Sequence, residues 1–90
     1  MEESMIEHRD NFRIVVIDRG WVICGDVETR AEDIVVSNAR CILQWGTTKG
    51  IGELARGATS KTKHEYMGVV EVPKRAVIFQ IVADREKWIK

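Results

Sequence analysis

Phe12-Arg13-Ile14-Val15-Val16-Ile17, then Asp18-Arg19-Gly20, then Trp21-Val22-Ile23-Cys24-Gly25-Asp26-Val27-Glu28 is the stretch that decides the fold class. The first segment is a β-branched run of strand length. The second is a turn in which Gly20 is free to take positive φ. In the third, Trp21, Ile23, Gly25 and Val27 alternate with Val22, Cys24, Asp26 and Glu28, the period of two expected of a strand. Gly25 in mid-strand marks a bend or bulge of the kind a small barrel needs.

Working outward, Ile34-Val35-Val36 predicts a third strand, Asn38 a tight turn, and Cys41-Ile42-Leu43-Gln44-Trp45 a fourth strand. Gly46 to about Tyr66 carries no strand signal, and Ile51–Arg56 within it suits one or two helical turns. Val69–Val72 and Ala76–Val82 are the last strands, joined at Pro73-Lys74-Arg75. Asp84 is placed as the N-cap of a terminal helical turn that folds Trp88 and Ile89 back on the barrel. The chain shows no long amphipathic helix and no internal repeat. These signals predict an all-β fold, a small bent barrel or roll of five to six strands with a long loop and a short C-terminal helical turn. A βαβ architecture is excluded for want of crossover helices.

Ninety residues make one domain, read as 12–90, preceded by an acidic N-terminal arm or short helix over 1–11. At 44% hydrophobic and 31% charged, the composition is that of a soluble globular chain. Fourteen basic residues balance fourteen acidic ones, so no global field draws it to nucleic acid or anionic lipid. So short a barrel leaves strand edges, and both faces of 12–17 are largely apolar; homo-oligomerisation is therefore expected. Cys24 and Cys41 sit in apolar runs without metal-ligand spacing and read as buried structural thiols. The first residues lack a basic-then-apolar signal, and no apolar run nears the ~18 residues that span a bilayer. The expected location is the cytoplasm, that of the host cell if the chain is phage-encoded, with no membrane partner.

The distinctive segment runs from Trp45 to His64. Four of the seven glycines fall between 46 and 57, and Lys49, Arg56, Lys61 and Lys63 outnumber Glu53 and Glu65 over 47–65. Converging backbone N–H groups, hydroxyls and point charges are the ingredients of a phosphate or carboxylate cradle. The candidate ligand-binding residues are Trp45, Gly46, Thr47, Thr48, Lys49, Gly50, Gly52, Arg56, Thr59 and Lys61. Thr47, Thr48 and Lys49 form the anionic end, and Trp45 offers a flat face to a base. The plainer alternative is a loop that merely links two strands. Gly50-x-Gly52-x-x-Ala55 formally matches a dinucleotide fingerprint but lacks its βαβ setting, and Gly52-x-x-x-x-Gly57 lacks the P-loop lysine. Trp21 and Trp88 are expected to pack as core or lid residues, and core packing competes with stacking at Trp45. His64 reads as an exposed loop histidine rather than a general base. No catalytic set, metal site or cofactor is expected, and the chain is not read as an enzyme.

The stretches Gly20-Trp21-Val22-Ile23-Cys24-Gly25-Asp26, Ile34-Val35-Val36-Ser37-Asn38-Ala39 and Val72-Pro73-Lys74-Arg75-Ala76-Val77-Ile78 resemble the strand cadence of Sm-like barrels. That resemblance implies an Sm/SH3-like barrel over about half of the chain. The loop does not match the RNA-reading positions of that family, so RNA binding is not carried over. Trp45-Gly46-Thr47-Thr48-Lys49-Gly50-Ile51-Gly52-Glu53-Leu54-Ala55, with Ala76-Val77-Ile78 and Trp88, resembles a family of small uncharacterised bacterial and prophage proteins. This second resemblance spans roughly 12–88. It implies no established activity, but a mobile-element setting in which small oligomers bind or sequester a host molecule.

The leading expectation is a non-enzymatic oligomer that binds a small phosphorylated, nucleotide-like ligand through this loop, a role that would counter host defence signalling. An Sm-like RNA- or DNA-binding module is one alternative, disfavoured by the neutral charge. A protein-binding inhibitor or structural subunit is the other.

Overall fold

A computed structural model of the chain describes residues 11–48 and 50–88. The predicted N-terminal arm, apart from Asn11, lies outside the described residues, as do Lys49 and Ile89. The fold is all-β. Its strands are β1 (Phe12–Ile17), β2 (Trp21–Thr29), β3 (Asp33–Gln44), β4 (Lys63–Pro73) and β5 (Val77–Val82), followed by a one-turn helix α1 (Arg85–Trp88). All pair antiparallel in one sheet of order β4-β3-β2-β1-β5.

β1 and β2 form the predicted hairpin, in register from Ile17↔Trp21 to Phe12↔Asp26. Its turn holds Arg19 at φ 67° and Gly20 at φ 83°, a left-handed pair that matches the twist of the flanking strands. β3 departs from expectation: it is a single strand of 12 residues where two strands and a turn were predicted. Asn38 does take a turn-like φ of 53°, but the chain absorbs it as a bulge and runs on. The β2–β3 register slips at the same level, between Cys24 and Asp26. A Cβ on Gly25 would stand 2.6 Å from Val36 Cγ1 and 2.7 Å from the Ser37 carbonyl oxygen. The predicted bend is therefore real, and it needs glycine because the two bulged strands touch there.

β4 also begins earlier than predicted, at Lys63. Residues 63–68 lack a β-branched run. They become strand by pairing with β3 through Ile42↔His64, Cys41↔Glu65 and Arg40↔Tyr66, tertiary context overriding propensity. The connection between β3 and β4 is thus 45–62.

Alternation along the strands sorts the apolar residues into two cores. Val15, Ile23, Val27, Ile34, Val36, Ala39, Cys41 and Val72 form one, with Val70 and Val77 packed against it. Because residues from both outer strands share this core, the sheet must curl around it. The second core lies on the opposite face, where Phe12, Ile14, Val22, Cys24 and Ile42 meet Leu54, Ala83 and Trp88. The outer side of β1, which suggested a neighbouring subunit, is thus covered by the chain itself. Leu54 is fully buried, a contribution of about 1.5–3 kcal/mol. Asp84 caps α1 as expected, its Oδ1 accepting the Glu86 N–H at 3.1 Å.

Trp88 packs as predicted, with its ring centroid 6.3 Å from that of Phe12. Trp21 does not: it opens β2 beside the turn and stays 57% exposed. Cys24 and Cys41 are buried free thiols, and burial pushes the Cys24 thiol up to about 12. Among the described residues, no helix is long and apolar enough to cross a membrane.

Candidate functional site

The connection from β3 to β4 has a neck, a buried middle and an open tip. At the neck, Gly46 takes φ 66°, and a Cβ there would lie 2.3 Å from the Lys61 carbonyl carbon. Only glycine lets the two limbs pass backbone against backbone. Two threonines then clasp them. The Thr59 hydroxyl donates to the Gly46 carbonyl at 2.8 Å, and the Thr62 hydroxyl donates to the Trp45 carbonyl at 2.6 Å. Each also accepts a backbone N–H, Thr62 Oγ1 from Thr59 at 2.8 Å and Thr59 Oγ1 from Lys61 at 3.1 Å. With both hydroxyl protons committed to carbonyls, neither threonine has a donor left for a ligand.

The middle is the 3-10 helix Ile51–Arg56, whose Leu54 plugs the outer core. α1 locks it in place. The Trp88 indole donates to the Leu54 carbonyl at 2.8 Å, and the Asp84 N–H donates to the Ala55 carbonyl at 2.7 Å. Gly57 has φ 114°, and a Cβ on it would come within 2.8 Å of Lys87 Cβ. The segment Gly52-Glu53-Leu54-Ala55 that stood out in the sequence is therefore in large part a structural cover. Leu54 and Ala55 thus serve the outer core, which is neither a mere link nor a ligand contact.

The tip gathers the remaining candidates. Trp45 is 42% exposed at its base, so core packing does not claim it. Thr47 is half-buried, and Thr48 is exposed with its N–H donating to Glu53 Oε1 at 3.2 Å. Gly50 has φ 101° and open space where a side chain would stand. Gly52 has the same open space without the positive φ, so neither sterics nor conformation demands glycine there. Arg56 and Lys61 are exposed, and neither forms an ion pair among the described residues. The fold therefore holds Thr48 and Gly50 to Glu53, leaves Trp45, Thr47 and Gly52 at least partly open, turns Gly46 and Thr59 into the neck, and leaves Lys49 outside the described residues.

Two residues assigned to the loop belong to β4. His64 packs edge-on to Trp88, with ring centroids 5.5 Å apart and planes at 69°. Its Nδ1 is buried without a hydrogen-bond partner, and burial, with Arg40 second, lowers its pKa. Tyr66 lies under the Arg40 guanidinium, 5.7 Å from the ring centroid. Arg40 was not singled out from sequence, where an arginine in an apolar strand reads as an ordinary outward residue. At the far end of β3 and β4, Glu32, Asp33, Glu71, Pro73 and Arg75 line a shallow recess of about 350 Å³. Three carboxylates against one guanidinium make it unsuited to an anion. No group of three or more His, Cys, Asp or Glu among the described residues has metal-binding geometry.

No family model matches the chain, and no curated protein or solved structure matches it either.

Proposed function

We propose that this protein is a non-enzymatic, self-associating binding subunit that takes a small phosphorylated, nucleotide-like ligand at the tip of the β3–β4 connection. One contact carries the reading: the Thr48 N–H is turned onto a carboxylate oxygen, Glu53 Oε1, at 3.2 Å. A backbone donor in a glycine-rich turn is already aimed at an anionic oxygen, and a ligand phosphate would take the place that Glu53 holds. Exposed Trp45 supplies a face for a base, and Arg56 and Lys61 supply charge that no described carboxylate neutralises. The resemblance to prophage proteins favours sequestration of a host nucleotide signal over metabolism of it. Calorimetric titration with a panel of cyclic and linear nucleotides tests the proposal. Saturable heat from at least one is expected, and none from any member overturns it.

Self-association rests on the two strands that end the sheet among the described residues. β4 exposes Tyr66, Met67 and Val69, and β5 exposes Ile78, Phe79 and Val82. β5 has neither charge nor proline to discourage another strand from pairing with it. Sedimentation at micromolar concentration should show a species heavier than 10.3 kDa that Val82→Lys dissociates without loss of the β circular-dichroism signal. A wild type that sediments only as the single chain would remove this part of the reading.

A further inference from the structure

The outer core is closed by a cover whose far edge rests on an ionisable group. Trp88 reaches from α1 across to Leu54 on one side and to the imidazole of His64 on the other. His64 lies across from Ile42 on β3, on the face that the cover shields. With Nδ1 buried and unpartnered, neutral imidazole carrying its proton on Nε2 meets no conflict, because only a lone pair is left unpaired. Imidazolium would place a charged N–H at that atom with no acceptor, a much costlier arrangement.

The charged groups around it do not relieve this. Arg40 on β3 is cationic and opposes a second positive charge. Glu65 pairs with Cys41, which belongs to the other core, and so faces away from His64, while Lys63 is cationic and cannot pair with an imidazolium. On α1, Arg85 is engaged with Asp26 at 2.8 Å, Lys87 lies against Gly57, and Glu86 is exposed. In the 51–56 helix, Glu53 accepts the Thr48 N–H.

We infer that His64 and Trp88 form an acid-sensitive latch, in which protonation of His64 releases α1 and the 51–56 helix from the outer face of the sheet. Below the unperturbed histidine pKa of 6.5, the uncovered state takes up a proton more readily than the covered one. The cover is therefore fully closed above that pH and opens progressively as pH falls. The latch does not depend on the ligand reading. If that reading also holds, acid opening would disorganise the binding tip, since Gly50 to Gly57 hang from Leu54.

Hydrogen exchange on the full chain without ligand tests it, reading the Gly57 and Asp84 amides and the Trp88 indole N–H. After correction for the intrinsic pH dependence of exchange, their protection should fall about threefold to tenfold between about pH 7.5 and 5, while amides of β1 and β2 hold. His64→Phe, which keeps an aromatic ring against Trp88, should abolish the fall. Should that variant not fold, imidazole NMR titration of the wild type decides: His64 must titrate below 6.5 and move the Trp88 indole resonance with the same midpoint. Equal pH dependence in both proteins, protection that rises in acid, or a His64 titration at or above 6.5 overturns the latch.

Discussion

The indole Nε1 of Trp88 donates to the Leu54 carbonyl at 2.8 Å, joining two segments 34 residues apart in the chain. Neither strand pairing nor a turn brings these residues together. Their bond ties the middle of the β3–β4 connection to α1 and thereby covers the apolar outer side of β1.

Leu54→Ala should lower stability by about 2–5 kcal/mol, since it empties a fully buried position. Trp88→Phe should cost about 0.5–1.5 kcal/mol, the scale of one lost hydrogen bond, because the Gly57 N–H still donates to the Leu54 carbonyl at 3.0 Å. Urea denaturation followed by circular dichroism measures both. A loss below 0.5 kcal/mol for Leu54→Ala, the ~0.5 kcal/mol scale of surface substitutions, would mean that the cover does not stabilise the sheet.

The glycines of the connection should separate into two classes. Gly46→Ala places a methyl 2.3 Å from the Lys61 backbone at φ 66°, and it should destabilise the fold and open the neck. Gly52→Ala meets nothing within 4 Å and should leave stability within about 0.5 kcal/mol of wild type. Thermal melts of the pair check this, and equal melting temperatures would contradict the neck.

At the tip, Glu53→Gln keeps the shape of the Thr48 acceptor and removes its charge. Any nucleotide bound by the wild type should then bind more tightly, because the ligand no longer displaces a carboxylate. Lys49→Ala should weaken the same ligand by about 1.5–3 kcal/mol, the scale of a lost charged hydrogen bond. Calorimetry on the two variants in parallel reads both signs, and opposite or null effects would place the ligand elsewhere.

Cys24 links stability to alkaline pH. Burial holds its proton up to about pH 12, whereas an unfolded chain releases it near 9.0. The native state therefore binds more protons through that interval, and stability falls as pH rises above about 9. Cys24→Ala should flatten the alkaline limb of a pH-stability curve relative to wild type. In the native wild type, the thiol should also resist alkylation at pH 8 until the chain unfolds.

Much of the sheet was legible because its signals are local. The β1–β2 hairpin follows from β-branched runs around Asp18-Arg19-Gly20, and the bend at Gly25 follows from glycine in mid-strand. Asn38 misled because a positive φ serves a bulge as well as a turn, and only the partner strand distinguishes them. The first half of β4 was unreadable because Lys63 to Gly68 owe their conformation to β3. The candidate site was half legible. Its composition of glycine, threonine and lysine marked the segment that forms the β3–β4 connection. Which threonines clasp carbonyls and which face solvent depends on how the limbs cross at Gly46.

The cover also shapes how the chain reaches its native state. The hairpins of β1 with β2 and of β2 with β3 close through short turns and need few residues in place. The outer face is sealed only when segments 34 residues apart converge, a slower step. Between the two events the sheet displays a bare strip of Phe12, Ile14, Val22 and Ile42, the kind of transient surface through which partly folded chains aggregate. Refolding yield should therefore fall with protein concentration, and dilution during that brief interval should rescue it.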